Sequence, residues 1–288
     1  MKHLSMGTPR PALKTNPQSK IRRELSKIGT INQTLPIMLS NLVEQLLSKS
    51  VFDKQLGASQ INLTIDPDDE MFVKGHEEAY FQTGISALQN IAAALLSAGK
   101  DPLLVKHVLD FPCGYGRVMR FSKAYFPNAE FYGSEITQRH LDFCAKTFDA
   151  KIFLSKDKFA EINVSQKFDV IWVGSLFTHL SSNRFKELYE FLISLLKEDG
   201  VLIFTTHGRF CYGHVQKGSR RRHVIEAGYL ATGFGYCHQH GTTVYGDSLT
   251  NPKWLFNFIQ KNKKGRVIYW AEQGWNSWQD VIAVVPSK

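Results

Sequence analysis

Val108-Leu-Asp-Phe-Pro-Cys-Gly-Tyr-Gly-Arg117 is the stretch of sequence that decides the fold of this 288-residue chain. An apolar run ends in an acid, and a Gly-x-Gly turn then leads into a segment with helical periodicity. Glycine allows positive φ and a close approach of the backbone to a ligand. The first turn of the helix presents free N–H groups to an anion or a polar ligand. We therefore predict a nucleotide-type site at the carboxyl end of a buried strand.

Predicted strands and helices alternate outward from this stretch, which favours an α/β fold with a parallel sheet and right-handed crossovers. The predicted strands cover 105–111, 130–136, 151–155, 168–175 and 201–206, and the predicted helices cover 117–126, 138–148 and 184–197. Asp199-Gly200 is predicted to turn the chain into the fifth strand. Two apolar runs near the end, 266–272 and 279–286, are joined by a short loop and are predicted to pair antiparallel.

Three regions are predicted along the chain. Residues 1–30 are a basic flexible tail, residues 31–100 hold N-terminal helices, and residues 101–288 form the main domain. The segment 208–251 is rich in Gly, Tyr and His and has no clean periodicity. We predict that it is an insertion that caps the active face of the sheet.

Composition places the chain among ordinary globular proteins. Apolar residues make up 43% and charged residues 21%, which excludes disordered, collagenous and coiled-coil chains. The net charge of +9 points to polyanionic partners. Residues 1–30 carry +6 of that charge, so the remainder carries only +3. Nucleic acid is therefore possible as a partner but is not favoured over a small molecule or a glycan.

Two classes of nucleotide ligand compete for the Gly-x-Gly turn. A dinucleotide site favours G-x-G-x-x-G, but counting from Gly114 places Met119 where the third glycine belongs. Asp110 would repel a pyrophosphate, whereas it suits a ligand that carries positive charge. S-adenosylmethionine carries such charges on its sulfonium and its amino group. An NAD- or nucleotide-sugar-binding oxidoreductase is the alternative at this point.

The chain resembles the class I S-adenosylmethionine-dependent methyltransferases. Their first motif, an acid followed by Gly-x-Gly-x-Gly, is matched by 110–116, with Pro112 in place of the usual first glycine. The stretches 168–180 and 197–208 match their fourth and fifth strands, and the closing antiparallel pair matches their reversed last strand. The resemblance implies a Rossmann-like, seven-stranded, mostly parallel sheet with an antiparallel last strand, an N-terminal helical extension and an inserted cap.

The resemblance also implies S-adenosylmethionine as cofactor and Glu135 as the acid that grips its ribose hydroxyls. The stretches 109–120, 244–254 and 274–281 resemble a narrower bacterial group of uncertain substrate, in which the helix before the first strand often adds a cofactor contact. Tyr80 is the candidate for that contact. The predicted cofactor-binding residues are Asp110, Pro112, Cys113, Gly114, Tyr115, Gly116, Arg117, Glu135, Ile136, Ser175 and Tyr80.

Candidate catalytic groups follow the fourth and fifth strands. They are His179 and His207, and an ordinary histidine side chain titrates near neutrality, which suits proton removal from an oxygen or nitrogen acceptor. Tyr212, His214 and Tyr245 are candidates for shaping the acceptor pocket. The acceptor is predicted to be a small molecule or a sugar, and the methyl group to move by in-line displacement. A protein that binds S-adenosylmethionine without catalysis is a further alternative, which Pro112 allows.

Two features of the cap have competing interpretations. Cys211, His214, Cys237 and His240 have the composition of a tetrahedral zinc site, but their spacing matches no standard zinc finger, and no metal is predicted. The basic run 220–222 is either a phosphate-binding site or a solvated loop, of which the loop is favoured.

The first residues lack the apolar core of a signal peptide, and no apolar run is long enough to span a bilayer. We therefore predict a cytoplasmic enzyme whose four cysteines form no disulfide framework.

Overall fold

A computed structural model of the chain describes residues 35–52, 55–214, 220–239, 241 and 244–287. The predicted basic tail, residues 1–30, lies outside them. The strands are β1 (His107–Asp110), β2 (Glu130–Glu135), β3 (Lys151–Leu154), β4 (Phe168–Val173), β5 (Leu196–Thr206), β6 (Phe234–His238), β7 (Gly246–Thr250), β8 (Gly265–Trp275) and β9 (Gln279–Pro286). The helices are α1 (35–48), α2 (Glu77–Ala98), α3 (Met119–Tyr125), α4 (Gln138–Phe148), α5 (Ser182–Ser194), α6 (Arg209–His214), α7 (Arg220–Thr232) and α8 (Pro252–Asn262).

Seven strands form one sheet in the order β3-β2-β1-β4-β5-β9-β8. The pairs from β3 to β5 are parallel, and β9 is antiparallel to both of its neighbours. The predicted α/β fold is therefore confirmed, including the reversed last strand. Because β1 and β4 lie side by side in the middle of the sheet, the loops that follow them open at its carboxyl edge. The chain order reverses there, which is where ligands bind in such folds.

Helices cover both faces of the sheet. Ile91 of α2, Met119 of α3 and Leu141 of α4 are buried on one face. Leu188 of α5 and Leu255 of α8 are buried on the other. A parallel sheet must be covered on both faces, and this explains why its central strands are apolar along their whole length. All six residues of β4 are buried.

The N-terminal helix α1 packs on the main domain. Leu39, Val43 and Leu46 are buried in one cluster with Phe81 of α2 and Phe121 of α3. These residues recur at helical spacing on one side of α1, as the sequence predicts. Met38 of the same helix is 59% exposed. The segment that follows α1 then continues toward the carboxyl edge of the sheet.

The cap has more regular structure than the sequence suggested. It contains the helices α6 and α7 and an antiparallel hairpin of β6 and β7. Cys211, Ile225, Tyr229 and Leu249 form its own small buried cluster. Each element is short and its apolar residues are few, so no periodicity was visible along the chain.

Two further expectations about the elements were wrong. Helix α8 was not predicted, although Asn251 accepts a hydrogen bond from the Lys253 backbone N–H (2.9 Å) and Pro252 occupies the first turn, which are ordinary start signals. Asp199-Gly200 does not turn the chain into a strand. It lies inside β5, where the pairing with β4 shifts register between Phe168 and Val170. Within the described residues, no helix combines the length and the apolar character needed to cross a membrane.

Candidate active site

The loop after β1 is shaped by two glycines. Gly114 and Gly116 have φ of +49° and +72°, a conformation that other residues rarely adopt. A Cβ added at Gly116 would lie 2.3 Å from Cε2 of Phe148. The backbone N–H of Cys113 donates to the Ser134 carbonyl of β2 (3.0 Å), which fixes the loop against the neighbouring strand. The tight turn therefore needs glycine, as the sequence predicts.

A cavity of about 580 Å³ opens at the carboxyl edge of the sheet, above this loop. Most of the predicted site residues line it: Asp110, Pro112, Cys113, Gly114, Tyr115, Arg117, Glu135, Ile136, Ser175 and His179. Trp275 and Tyr245 line it as well. Gly116, Tyr80 and His207 do not. Gly116 packs against Phe148, so its contribution is to the turn and not to the cavity wall.

Asp110 is the most deeply buried acid of the cavity, with 4% of its surface exposed. Its Oδ2 has no hydrogen-bond partner among the described residues. Burial, and next the charge of Glu135, raise the pKa of Asp110 to about 8. An unpartnered buried carboxyl oxygen is costly, and a cationic ligand would relieve that cost. The residue therefore fits the positively charged end of S-adenosylmethionine.

Glu135 stands at the end of β2 with both oxygens held by backbone. Its Oε2 accepts from the Gly114 N–H (3.2 Å) and its Oε1 from the Ile136 N–H (2.7 Å). Each carboxylate oxygen has a second lone pair, so both retain capacity for a ligand hydroxyl. Glu135 thus fits a pair of ribose hydroxyls.

Arg117 supplies the opposite charge in the same cavity. Its guanidinium carbon lies 5.8 Å from the ring centre of Tyr80 and 5.9 Å from that of Trp275. Burial lowers its pKa, but arginine remains charged at any physiological pH. Among the described residues this guanidinium has no ion pair and no hydrogen bond. It is therefore available to a ligand carboxylate.

Tyr80 is not a cavity residue, which corrects the expectation of a direct cofactor contact. Its hydroxyl donates to Oδ2 of Asp69 (2.7 Å) and accepts from Arg120 (3.3 Å). Asp69 itself lines the cavity together with Glu70 and Met71. The loop before α2 thus forms part of the wall. The sequence showed an acidic loop there and gave no signal that it reaches the site.

His179 lines the same cavity and contacts the cap. Its Nδ1 is 2.7 Å from the Gly246 carbonyl of β7, and its ring stacks on Tyr245 with centroids 4.5 Å apart. A carbonyl only accepts hydrogen bonds, so Nδ1 carries the proton and Nε2 of the neutral ring keeps its lone pair. Asp247 Oδ1 is 3.4 Å from the same Nδ1.

His207 lies behind His179 rather than in the cavity, with the two ring centres 6.3 Å apart. Burial, and next the proximity of His179, lower the pKa of His207 to about 4. The sequence correctly placed His207 at the end of β5, but the hairpin of β6 and β7 covers this residue. Tyr212 and His214 are not lining residues either: Tyr212 donates to Glu226 (2.8 Å), and His214 Nδ1 is bonded to the Phe210 carbonyl (2.8 Å).

The zinc alternative gains no support from the described residues. No group of three or more His, Cys, Asp or Glu side chains in them is arranged to hold a metal ion. The Cys211 thiol donates to the Trp278 carbonyl (3.2 Å), and His240 lies outside the described residues. In the basic run, Arg221 pairs with Asp247 and Arg222 with Glu226, so these two belong to the cap's own ion pairs.

Comparison with known proteins agrees with this geometry. A methyltransferase-domain family model matches residues 109–202, which run from β1 into β5. The PH0226 protein from Pyrococcus horikoshii OT3 is similar in structure, with a TM-score of 0.52 and 12% identity over 77% of this chain and 97% of that one. A magnesium protoporphyrin IX methyltransferase from Synechocystis PCC 6803, solved with bound SAH, has a TM-score of 0.50 and 14% identity over 75% and 89%. A search of the curated proteins found no match.

The sheet order, the glycine loop and the family match define a Rossmann-like nucleotide-binding fold of the methyltransferase type. The methyltransferase-domain match over residues 109–202, together with this fold, supports a class I S-adenosylmethionine-dependent methyltransferase. The chain is an enzyme, and S-adenosylmethionine is its cofactor. The dinucleotide and non-catalytic alternatives are thereby set aside.

Proposed function

We propose that this enzyme methylates an oxygen or nitrogen atom of a small molecule or a sugar by in-line displacement, with His179 as general base. The observation that carries the proposal is one cavity that is lined by Asp110, Glu135 and His179 together. The cofactor supplies the methyl group and the sulfur leaving group. The chain has to align the acceptor and to take its proton.

The cofactor end of the cavity is assigned by charge. Asp110, with its unpartnered Oδ2, faces the amino group of the methionine moiety, and Glu135 faces the ribose. Arg117, whose guanidinium has no ion pair and no hydrogen bond among the described residues, faces the methionine carboxylate. The methionine moiety is a zwitterion, so its binding site needs one negatively charged and one positively charged side chain. This cavity has both. Pro112, Cys113, Tyr115 and Ile136 complete the wall on this side.

The acceptor end of the cavity is assigned by the tautomer of His179. With Nδ1 donating to the Gly246 carbonyl, Nε2 is the nitrogen able to take a proton from an acceptor hydroxyl or amine. Asp247, close to Nδ1, favours the imidazolium that results. The cap, residues 208–251, supplies both partners of the base, so we propose that it forms the acceptor side of the site.

The decisive experiment compares His179→Asn with His207→Asn. The asparagine amide keeps a donor near the Gly246 carbonyl but removes Nε2. We expect His179→Asn to lower kcat by about 100-fold or more, the usual contribution of a general base, with the Kd for S-adenosylmethionine unchanged. Release of S-adenosylhomocysteine is measured against a panel of hydroxyl- and amine-bearing metabolites and glycans.

His207→Asn is the matched control, because it removes an imidazole 6.3 Å away that does not line the cavity. We expect less than about a fivefold change in kcat for this variant. Full activity of His179→Asn would rule out His179 as the base. A cytoplasmic location stays a prediction from the sequence.

A further inference from the structure

Three side chains from adjacent strands form a closed ring of hydrogen bonds beside the cavity. The backbone N–H of Ser175, just after β4, donates to Oγ1 of Thr205 on β5 (2.9 Å). The Thr205 hydroxyl donates to Oε1 of Gln279, the first residue of β9 (2.6 Å). The Gln279 amide Nε2 donates back to Oγ of Ser175 (2.7 Å). Ser175 lines the cavity, whereas Thr205 and Gln279 do not.

The direction of every bond in this ring is fixed by chemistry. A backbone N–H only donates, so Thr205 Oγ1 accepts there and its own proton is free to go to Gln279. The amide oxygen only accepts and the amide nitrogen only donates. Ser175 Oγ therefore accepts a hydrogen bond from Gln279. The hydroxyl proton of Ser175 is the only hydroxyl proton of these side chains that is not used within the ring. The hydrogen bonds of the described residues provide no acceptor for that proton.

The backbone at Ser175 is held in a conformation that serine seldom adopts. Its φ is +58°, in the left-handed region. The Thr178 hydroxyl donates to the Ser175 carbonyl (2.7 Å), which fixes the turn from the other side. Such conformations are energetically unfavourable and persist where the surroundings enforce them, often at functional sites. Together, the ring and this turn hold the Ser175 hydroxyl at the cavity wall with its proton available to a ligand.

The order of the strands indicates which ligand atom receives the proton. Glu135 follows β2 and Asp110 ends β1, and β4 is the next strand in the sheet. Neighbouring strands are about 4.8 Å apart, so ribose over β2 and ammonium over β1 place the rest of the methionine moiety over β4. Trp275 packs between the end of β4 and Arg117. Its Cη2 would lie 2.9 Å from a Cβ added at Gly174, and its ring centre is 5.9 Å from the Arg117 guanidinium.

We propose that Gln279 is a positioning residue that directs the Ser175 hydroxyl proton onto the carboxylate of S-adenosylmethionine, beside Arg117. Ser175 touches the cofactor, and Gln279 acts through it from the last strand of the sheet. This inference rests on the proposed orientation of the cofactor in the cavity. It does not depend on His179 or on the identity of the acceptor.

Isothermal titration calorimetry with two ligands tests the inference: S-adenosylmethionine and decarboxylated S-adenosylmethionine, which keeps the amino group and lacks the carboxylate. We expect Ser175→Ala and Gln279→Leu each to raise the Kd for S-adenosylmethionine about tenfold, as for the loss of one hydrogen bond to a charged group. The double variant should show no further loss. The Kd for the decarboxylated ligand should stay within about twofold of the parent value.

Controls separate positioning from folding. Thr205→Val breaks the ring at its third member and should give the same ligand-dependent loss as Gln279→Leu. Thr206→Val makes the same substitution one residue further along β5, where the side chain points to the other face of the strand, and should leave both affinities unchanged. Thermal melting of each variant reports whether the fold survives.

Two results would overturn the inference: an equal loss of affinity for both ligands, or unchanged affinity for S-adenosylmethionine in Ser175→Ala. Because the readout is cofactor binding, it is independent of the base. Failure of His179→Asn to reduce turnover would leave these affinities untouched.

Discussion

The proposed cofactor end and the proposed acceptor end of the cavity are built in different ways. At the cofactor end, Asp110 and Glu135 sit at the ends of neighbouring parallel strands, and both belong to a short stretch of sequence. At the acceptor end, His179 depends on Gly246 and Asp247, nearly seventy residues further along the chain. The cofactor end is part of the sheet itself, whereas the acceptor end is assembled by an insertion. This difference suits an enzyme class that keeps one cofactor and varies the acceptor.

The largest effect that we expect separates two glycines of the cofactor loop. Gly116→Ala should lower the free energy of unfolding by about 3 kcal/mol, because an unfavourable φ is combined with overlap with Phe148. Gly114→Ala, also at positive φ but with nothing within 4 Å of the added Cβ, should cost about 1 kcal/mol. Denaturant unfolding measures both. Equal losses would mean that the loop yields to the added methyl group and does not depend on Phe148.

The next effect concerns cofactor binding. Asp110→Asn should weaken S-adenosylmethionine binding about a hundredfold at pH 8, because it removes the buried charge that faces the ligand amino group. Calorimetry measures the Kd, and the melting temperature checks the fold. Binding as tight as in the parent would show that Asp110 is not part of the cofactor site.

The third effect is the pH dependence of the same residue. In the ligand-free fold the pKa of Asp110 is raised from 3.8 to about 8. Its contribution to stability is therefore complete below pH 4 and is lost as the pH rises through about 8. A cationic ligand requires the ionised form, so the association constant should increase by up to about tenfold per pH unit between pH 6 and 7 and level off above 8.

Asp110→Asn is the control for this prediction, because the amino group of the ligand titrates in the same range. Calorimetric titrations at several pH values should show a shallower dependence in the variant than in the parent. The same slope in both proteins would assign the pH dependence to the ligand alone.

The smallest effect tests the acceptor end. Asp247→Asn should lower kcat about fivefold, because the charge that favours protonated His179 is lost, although it is partly exposed to solvent. The Kd for S-adenosylmethionine should not change. A large loss of cofactor affinity in this variant would break the division of the cavity into two ends.

Most of the cofactor-binding residues that the sequence predicted line the cavity. Asp110, Gly114 and Glu135 were identified because strand, acid and glycine turn lie close together along the chain, and local spacing carries that information. The acceptor end was predicted only in part. His179 and His207 looked equivalent at the ends of β4 and β5. The hairpin of β6 and β7 contacts both histidines, but it leaves only His179 at the cavity wall.

Other features could not be predicted from the sequence, because they also depend on contacts that form only in the folded chain. Asp69 enters the cavity wall from the loop before α2, and Tyr80 turns toward Asp69 instead of toward the cavity. Gln279 appeared as the first polar residue of a strand. Its role in the ring with Ser175 and Thr205 depends on β9 lying next to β5. These contacts join residues that are distant along the chain, or they involve a side chain, such as that of Tyr80, that does not point where the sequence predicted.

By itself, the sequence determined the α/β fold, the reversed last strand, the cofactor and the carboxylates that we propose as its ligands, because periodicity and short-range spacing dictate strands, turns and helix starts. Only the tertiary structure decided which histidine lines the cavity, which tautomer it has, and how Ser175, Thr205 and Gln279 form a ring of hydrogen bonds. Those properties depend on hydrogen bonds between residues that only folding brings together. A directional contact of that kind leaves no local pattern in the chain.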